Sequence, residues 1–375
     1  MLDKGDPMFE EEELGPEDPI LSGARNPFVC AEHKLKQNLN WHGMNQADKR
    51  SKLEEAFDMP YEKLFDPKNK SPLFVQIDEQ TGDMRPCTAI QNPTWAPNPE
   101  GSNYTVGTRA YNDPVQGVLP NCYLIAALSS LAFLNLIPGK QPPYSYTFYY
   151  PPAIEGGTPT VDNTPVPVTN NVPLDAGTYR YSKSRDVGEI WIAMYEKAFA
   201  RWINRRAGTD SDTPDYSKIC LGDPIVALMN LSGLKSFRFL TKNFSDGTKI
   251  YDKINTVCKT VGFGGVYYRV TEKSMVAYTY DPRIEPQPIT YTDATIVGNH
   301  SYSVLGVHTI GAENYIVMRN PWGQIDPNPT NLPAGALATG SWYRIADLAA
   351  SSDAIFALKA SVFRDYFKGF GWVSL

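Results

Sequence analysis

Basic clusters are missing from this 375-residue chain, whose 35 Lys and Arg are outnumbered by 41 Asp and Glu. A slightly acidic chain with no concentrated basic face has no electrostatic footprint for nucleic acid, which argues against that class of partner. Cysteines are few: Cys30, Cys87, Cys122, Cys220 and Cys258 lie far apart and without C-x-x-C spacing. Neither a disulfide framework nor a zinc site is expected from that pattern, and free thiols in a reducing compartment are. The opening stretch MLDKGDPMFEEEELGPEDP lacks the basic end and apolar run of a secretory signal. The longest apolar run, residues 123–137, is broken by Ser129, Ser130 and Asn135 and falls short of the roughly 20 residues that span a bilayer. The expectation is an intracellular, cytoplasmic protein with no transmembrane segment. Its oligomeric state is not legible.

What remains is a globular profile long enough to bury a large core, as one two-lobed unit or two domains. Residues 1–100 read as an acidic tail followed by a Pro-rich lead-in with one helix, QADKRSKLEEAF, a candidate regulatory segment. A helix is predicted from Cys122 to Ile137, where Leu124, Ile125, Leu128, Leu131 and Ala132 recur near helical spacing and Pro138-Gly139 stops it. A second is predicted in GEIWIAMYEKAFARWI, with Trp191, Met194, Tyr195, Ala198 and Trp202 on one face. Glu189, Glu196, Lys197 and Arg201 on the other face read as solvated. Beyond a polar loop, DPIVALMNLSG and TKIYDKINTVCKTV predict short helices, whereas GGVYYRVTE, SYSVLGVHTI and NYIVMRNPW predict strands. The fold class is therefore α+β: a helical first lobe over 101–212 and an antiparallel second lobe over 213–375.

Cys122 stands at the start of its helix, where the positive end of the dipole favours a thiolate. A thiol nucleophile needs a base, a group to orient that base and donors for an oxyanion. Only four histidines exist. Of these, His300 begins a strand after a turn and is the best base. Asn320, at the end of the next strand, can return to the level of His300 in an antiparallel pair and accept from the imidazole. Trp322 can cover that hydrogen bond. Gln116, six residues before Cys122, can aim its amide at the oxyanion beside the Cys122 N–H.

QGVLPNCYLIAAL, EIWIAMYEKAFARW, NHSYSVLGV and RNPWGQ, in that order, resemble the calpain family of papain-like cysteine proteases over roughly residues 105–350. The resemblance implies a papain-like two-lobed fold with the cleft between the lobes. It implies Cys122 as nucleophile, His300 as general base and acid, Asn320 as its orienting residue and Gln116 as oxyanion donor. It also implies calcium as the cofactor, with Asp113 and Glu189 as first-lobe carboxylates and Asp326 as a second-lobe ligand, although the acidic residues that should follow are absent from DPNPTNLPAGAL. No organic cofactor is implied. Pro120, Asn121, Tyr123 and Asn299 depart from the family's Gly, Asp, Trp and Gly, which leaves the loop shape and the substrate fit of the cleft open.

The resulting expectation is an intracellular endopeptidase acting on protein or peptide substrates through a thioester acyl-enzyme, switched by calcium. A weakly active or inactive scaffold of the same fold is the alternative. Acyl transfer to an amine uses similar Cys-His logic, but Asn320 in place of an aspartate argues against it.

Overall fold

Every residue from Cys122 to Ala132 is buried. A helix apolar on all sides belongs at the centre of a molecule, and α1 (Cys122–Phe133) lies there. It ends four residues before the predicted stop because Asn135 adopts φ 56° and the Leu136 N–H closes back on Leu131 O at 2.9 Å. That is the left-handed termination asparagine tolerates. The computed structural model describes residue 51 and, between 93 and 374, all residues except 106–108, 139–142, 153–156, 221, 264–265, 281–290, 292–295, 324–331, 334 and 339–353. The acidic tail, nearly all of the predicted lead-in helix, and Asp326 lie outside the described residues.

The second helix, α2 (Trp191–Arg206), buries the predicted face of Trp191, Met194, Tyr195, Ala198 and Trp202. The solvated reading of its other face is corrected: Glu189, Glu196 and Lys197 are buried. Chain segments distant in sequence cover Glu196 and Lys197 and supply their hydrogen bonds. The Lys197 ammonium donates to Thr169 O at 3.0 Å, Asn171 O at 2.8 Å and Asp212 at 2.9 Å. Glu196 accepts from Asn121 Nδ2 at 2.6 Å, from the Ser182 N–H and hydroxyl at 3.1 and 2.7 Å, and from Tyr179 OH at 3.3 Å. Lys197 is thus paired with Asp212, whereas Glu196 has neutral donors alone and burial pushes its carboxyl up, toward the protonated form.

Helix α3 (Pro224–Ser232) starts under an Asp223 cap that accepts from the N–H groups of Ile225 and Val226, with proline at the first helical position, and stops at Gly233 in the left-handed region. Helices α4 (Gly247–Asn255) and α5 (Ala360–Tyr366) complete the helical set used below. The predicted helix TKIYDKINTVCKTV divides at Asn255, and its remainder becomes a strand.

Seven strands form one antiparallel sheet: β1 (Lys235–Leu240), β2 (Cys258–Phe263), β3 (Val266–Thr279), β4 (Ser301–Ile310), β5 (Glu313–Arg319), β6 (Ile355–Lys359) and β7 (Phe367–Ser374). Their order is β1-β7-β3-β4-β5-β6, with β2 paired to β3. Side chains alternate between two cores, as strand geometry requires. Val276, Tyr278, Leu305 and Val317 join α1, α2 and α3 on one face. Met275, Ala277, Val304, Ile316 and Met318 join α4 and α5 on the other. Mixed helices and antiparallel sheets are thus the architecture.

Cys220 corrects a further expectation: it is disulfide-bonded, its partner outside the described residues, while Cys122 and Cys258 are free. Spacing along a chain does not report distance through space. No helix among the described residues is long and apolar enough to cross a membrane.

Candidate active site

The hairpin β4–β5 pairs Ser303 with Arg319. That register brings the residues just before β4 and just after β5 to one end of the sheet. His300 Nε2–H donates to Asn320 Oδ1 at 2.9 Å, and the Trp322 N–H donates to the same oxygen at 3.0 Å. Two donors on one oxygen fix the orientation of the amide. Trp322 lies over the imidazole with ring centroids 4.7 Å apart, and Tyr302 meets it edge-on at 4.9 Å. Asn320 Nδ2 is buried without a hydrogen-bond partner among the described residues. With Nε2 carrying the proton, Nδ1 keeps a bare lone pair.

Asn299, where glycine was the family pattern, takes φ 51°, and its N–H donates to Tyr280 O at 2.7 Å. The turn therefore keeps a glycine-like conformation. Thr279 Oγ1 accepts from the His300 N–H at 2.9 Å, which pins the backbone of the imidazole.

Cys122 is the first residue of α1 and is buried. Asn121 occupies the cap position with Nδ2 donating to Glu196, so the helix start is held from behind by a buried carboxyl. Tyr123, replacing tryptophan, packs its ring where a Cβ on Gly222 would lie 2.6 Å away, and its hydroxyl donates to Ile219 O at 3.0 Å. Gln116 Nε2 donates to Leu119 O at 2.7 Å and its backbone N–H to Pro321 O at 2.9 Å.

Burial pushes the Cys122 thiol above its ordinary value, opposed by the N–H and hydroxyl of Ser301 and by the helix N-terminus. It pushes His300 down to about 4, opposed by Asn320. Both shifts favour the neutral forms. Among the described residues no hydrogen bond joins the thiol to the imidazole, whose hydrogen bond goes to Asn320.

Asp113 and Glu189 meet Asp186, with one carboxylate oxygen from each within 4.8 Å of the others. Asp113 and Glu189 are buried. Burial, then the neighbouring Glu189, raises Asp113 to about 7. The Trp191 indole N–H donates to both, at 3.2 Å to Asp113 and 3.0 Å to Glu189, and the Ser184 hydroxyl donates to Glu189.

Sequence reasoning missed Asp186, Ser301 and Glu196. Asp186 stands three residues before Glu189 in a glycine-containing loop, a spacing that was available as a signal. Ser301 follows the histidine directly. Glu196 gave no signal, because its partners are 14 to 75 residues away.

The model of the calpain family cysteine proteases matches residues 63–330. A thiol protease of Porphyromonas gingivalis is 29% identical over 277 residues, 68% of this chain and 53% of its own length. Human calpain-9 is 25% identical over 281 residues, 70% of this chain and 34% of its own. Mouse calpain-8 is 24% identical over 258 residues, 64% and 31% respectively. The chain spans about half the length of the first relative and about a third of the other two. With a motif set in order and a family match over most of its length, this chain belongs to the calpain family of cysteine proteases.

Proposed function

We propose that the protein is a cysteine endopeptidase that hydrolyses peptide bonds through a thioester acyl-enzyme, with Cys122, His300, Asn320 and Gln116 as its working groups. The observation that carries this reading is the His300–Asn320 hydrogen bond under Trp322, at the end of the sheet where Ser301 meets the Cys122 thiol. His300 Nδ1 takes the thiol proton, and the thiolate forms a C–S bond to the substrate carbonyl carbon while the π electrons move to oxygen. The Cys122 N–H and the second amide hydrogen of Gln116 stabilise that oxyanion, each donor contributing about 3 kcal/mol. Collapse breaks the C–N bond as the imidazolium protonates the leaving amine. Water, deprotonated by His300, then attacks the thioester; the acid leaves and the proton returns to sulfur.

Asp113, Asp186 and Glu189 suit calcium: they offer oxygen ligands only, and two of the three are buried carboxylates whose mutual repulsion a divalent cation offsets. Calcium bound there would supply charge compensation and would hold the cluster's segments together. Terbium is a direct probe, because the Trp191 indole bonds two of the carboxylates and is placed to sensitise its luminescence. Calcium should displace it, and Asp113→Asn should abolish the signal. An unchanged signal in that variant removes the calcium assignment.

A scaffold role is favoured by one observation: among the described residues no hydrogen bond joins the Cys122 thiol to His300, and burial favours the neutral form of each. An epoxysuccinyl probe applied with calcium and with chelator separates the readings. Adduct confined to Cys122 supports the protease; absence of adduct in both conditions supports the scaffold.

A further inference from the structure

The acidic cluster and the loop that orients His300 are tied together by arginines from both sides. From the sheet, Arg319 Nη2 donates to Asn112 O at 2.9 Å and Pro114 O at 2.7 Å, one carbonyl on each side of Asp113. From the cluster, Arg185 Nη2 donates to Gly323 O at 2.9 Å, and the Arg185 N–H donates to Asp113 O at 2.9 Å. Arg185 lies between Ser184, which bonds Glu189, and Asp186. Gly323 in turn donates its N–H to Asn320 O at 3.1 Å. A continuous path therefore runs from the carboxylates through Arg185 and Gly323 to Asn320 and the imidazole.

The fit at Gly323 is close. With φ 72°, it is in a conformation side chains rarely adopt, and a Cβ there would lie 3.0 Å from Val115 and 3.3 Å from Arg185 Nη2. Arg319 is fully buried and has an evident packing role. Arg185 is only half-buried, so its charge is held near water, and its planar fork reaches a backbone carbonyl 138 residues away.

We propose that Arg185 is a positioning residue that ties the Asp113–Asp186–Glu189 cluster to the Asn320–Trp322 loop and so sets the orientation of His300 toward Cys122. This rests on the protease reading given above. Displacing the cluster moves the guanidinium, and the guanidinium moves the turn that carries Asn320.

The test is the pH profile of Cys122 alkylation by iodoacetamide in the full chain, with the site located by peptide mass mapping. It compares parent, Arg185→Gln and Arg185→Lys, first in chelator and then in calcium. In chelator, Arg185→Gln is expected to move the profile by about 0.5 pH unit or more, with a melting temperature within about 2 °C of the parent. Arg185→Lys, which keeps the positive charge, is expected to return toward the parent profile. In calcium, the parent profile moves and that of Arg185→Gln does not, although both bind terbium. Superimposable profiles for parent and Arg185→Gln in both conditions overturn the proposal and leave the protease reading intact. Equal calcium responses with retained terbium binding overturn the transmission through Arg185. A parent in which Cys122 resists alkylation throughout overturns the protease reading and this proposal with it.

Discussion

Asn320→Ala removes one acceptor from two donors. The side chain is fully buried, and its Oδ1 receives His300 Nε2–H at 2.9 Å and the Trp322 N–H at 3.0 Å. A buried donor stripped of its partner costs about 1–3 kcal/mol. His300, buried beneath Trp322, bears that cost in full, whereas the Trp322 N–H lies in a half-buried turn where water partly replaces the acceptor. Deleting Asn320 Nδ2, itself buried and unpaired, returns about 1 kcal/mol. The net loss is about 3 kcal/mol of stability, read as a lower urea midpoint at unchanged slope. The imidazole also loses the bond that holds the proton on Nε2, so kcat/KM on a peptide substrate is expected to fall about tenfold or more. Asn320→Asp is the control: it keeps the acceptor, raises the His300 pKa and should retain the tautomer while losing stability to a buried charge. Should Asn320→Ala unfold within about 0.5 kcal/mol of the parent, the hydrogen bond is not what holds this histidine, and the argument fails.

Acid destabilisation should carry a His300 component. Its folded pKa of about 4 lies below the ordinary 6.5, so the unfolded chain binds the proton first. The contribution is complete above pH 6.5 and is lost as pH falls toward 4, about 3 kcal/mol in all. Urea midpoints at neutral pH and near pH 5, compared between parent and His300→Gln, measure it; equal slopes refute it. Asn299→Gly should be neutral or slightly stabilising and Asn299→Ala should cost about 1 kcal/mol, because φ 51° is left-handed. Thermal melts that rank the two the other way contradict that account. Glu196→Ala leaves Asn121 Nδ2 and both the N–H and the hydroxyl of Ser182 without their acceptor, while Tyr179 keeps Ser182 O, and should cost about 3 kcal/mol or more. A loss below about 1 kcal/mol would mean the cavity fills with water.

Periodicity carried much of the fold. The apolar run after Cys122 and the alternation in SYSVLGVHTI and NYIVMRNPW locate α1 and the β4–β5 hairpin, and antiparallel geometry then places residues 300 and 320 together. Asn135 shows where that reasoning stops, since one left-handed residue ended a helix whose apolar pattern continues. Glu196 and Lys197 show the larger limit. A helical wheel assigns them to water, but segments around residues 169–182 and Asp212 fold over them, and no local pattern announces a partner so distant. Asp113 and Glu189 came from the resemblance; Asp186 offered a spacing signal that went unread, and Arg185 came only with the loop's three-dimensional path.

Three side chains of the sheet region reach α1. Ser303 Oγ donates to Ala126 O at 2.8 Å, Ser274 Oγ to Ser130 O at 3.3 Å, and Arg319 Nη1 to Ser129 Oγ at 3.4 Å. The helix bearing the thiol and the strand following the imidazole should therefore behave as one cooperative unit in native-state hydrogen exchange. Their amides should share a single opening free energy, higher than that of the acidic loop around Asp186. Movement of the acidic loop can then turn the imidazole through Asn320, whereas the backbones of α1 and β4 part only in an opening that disrupts the sheet itself.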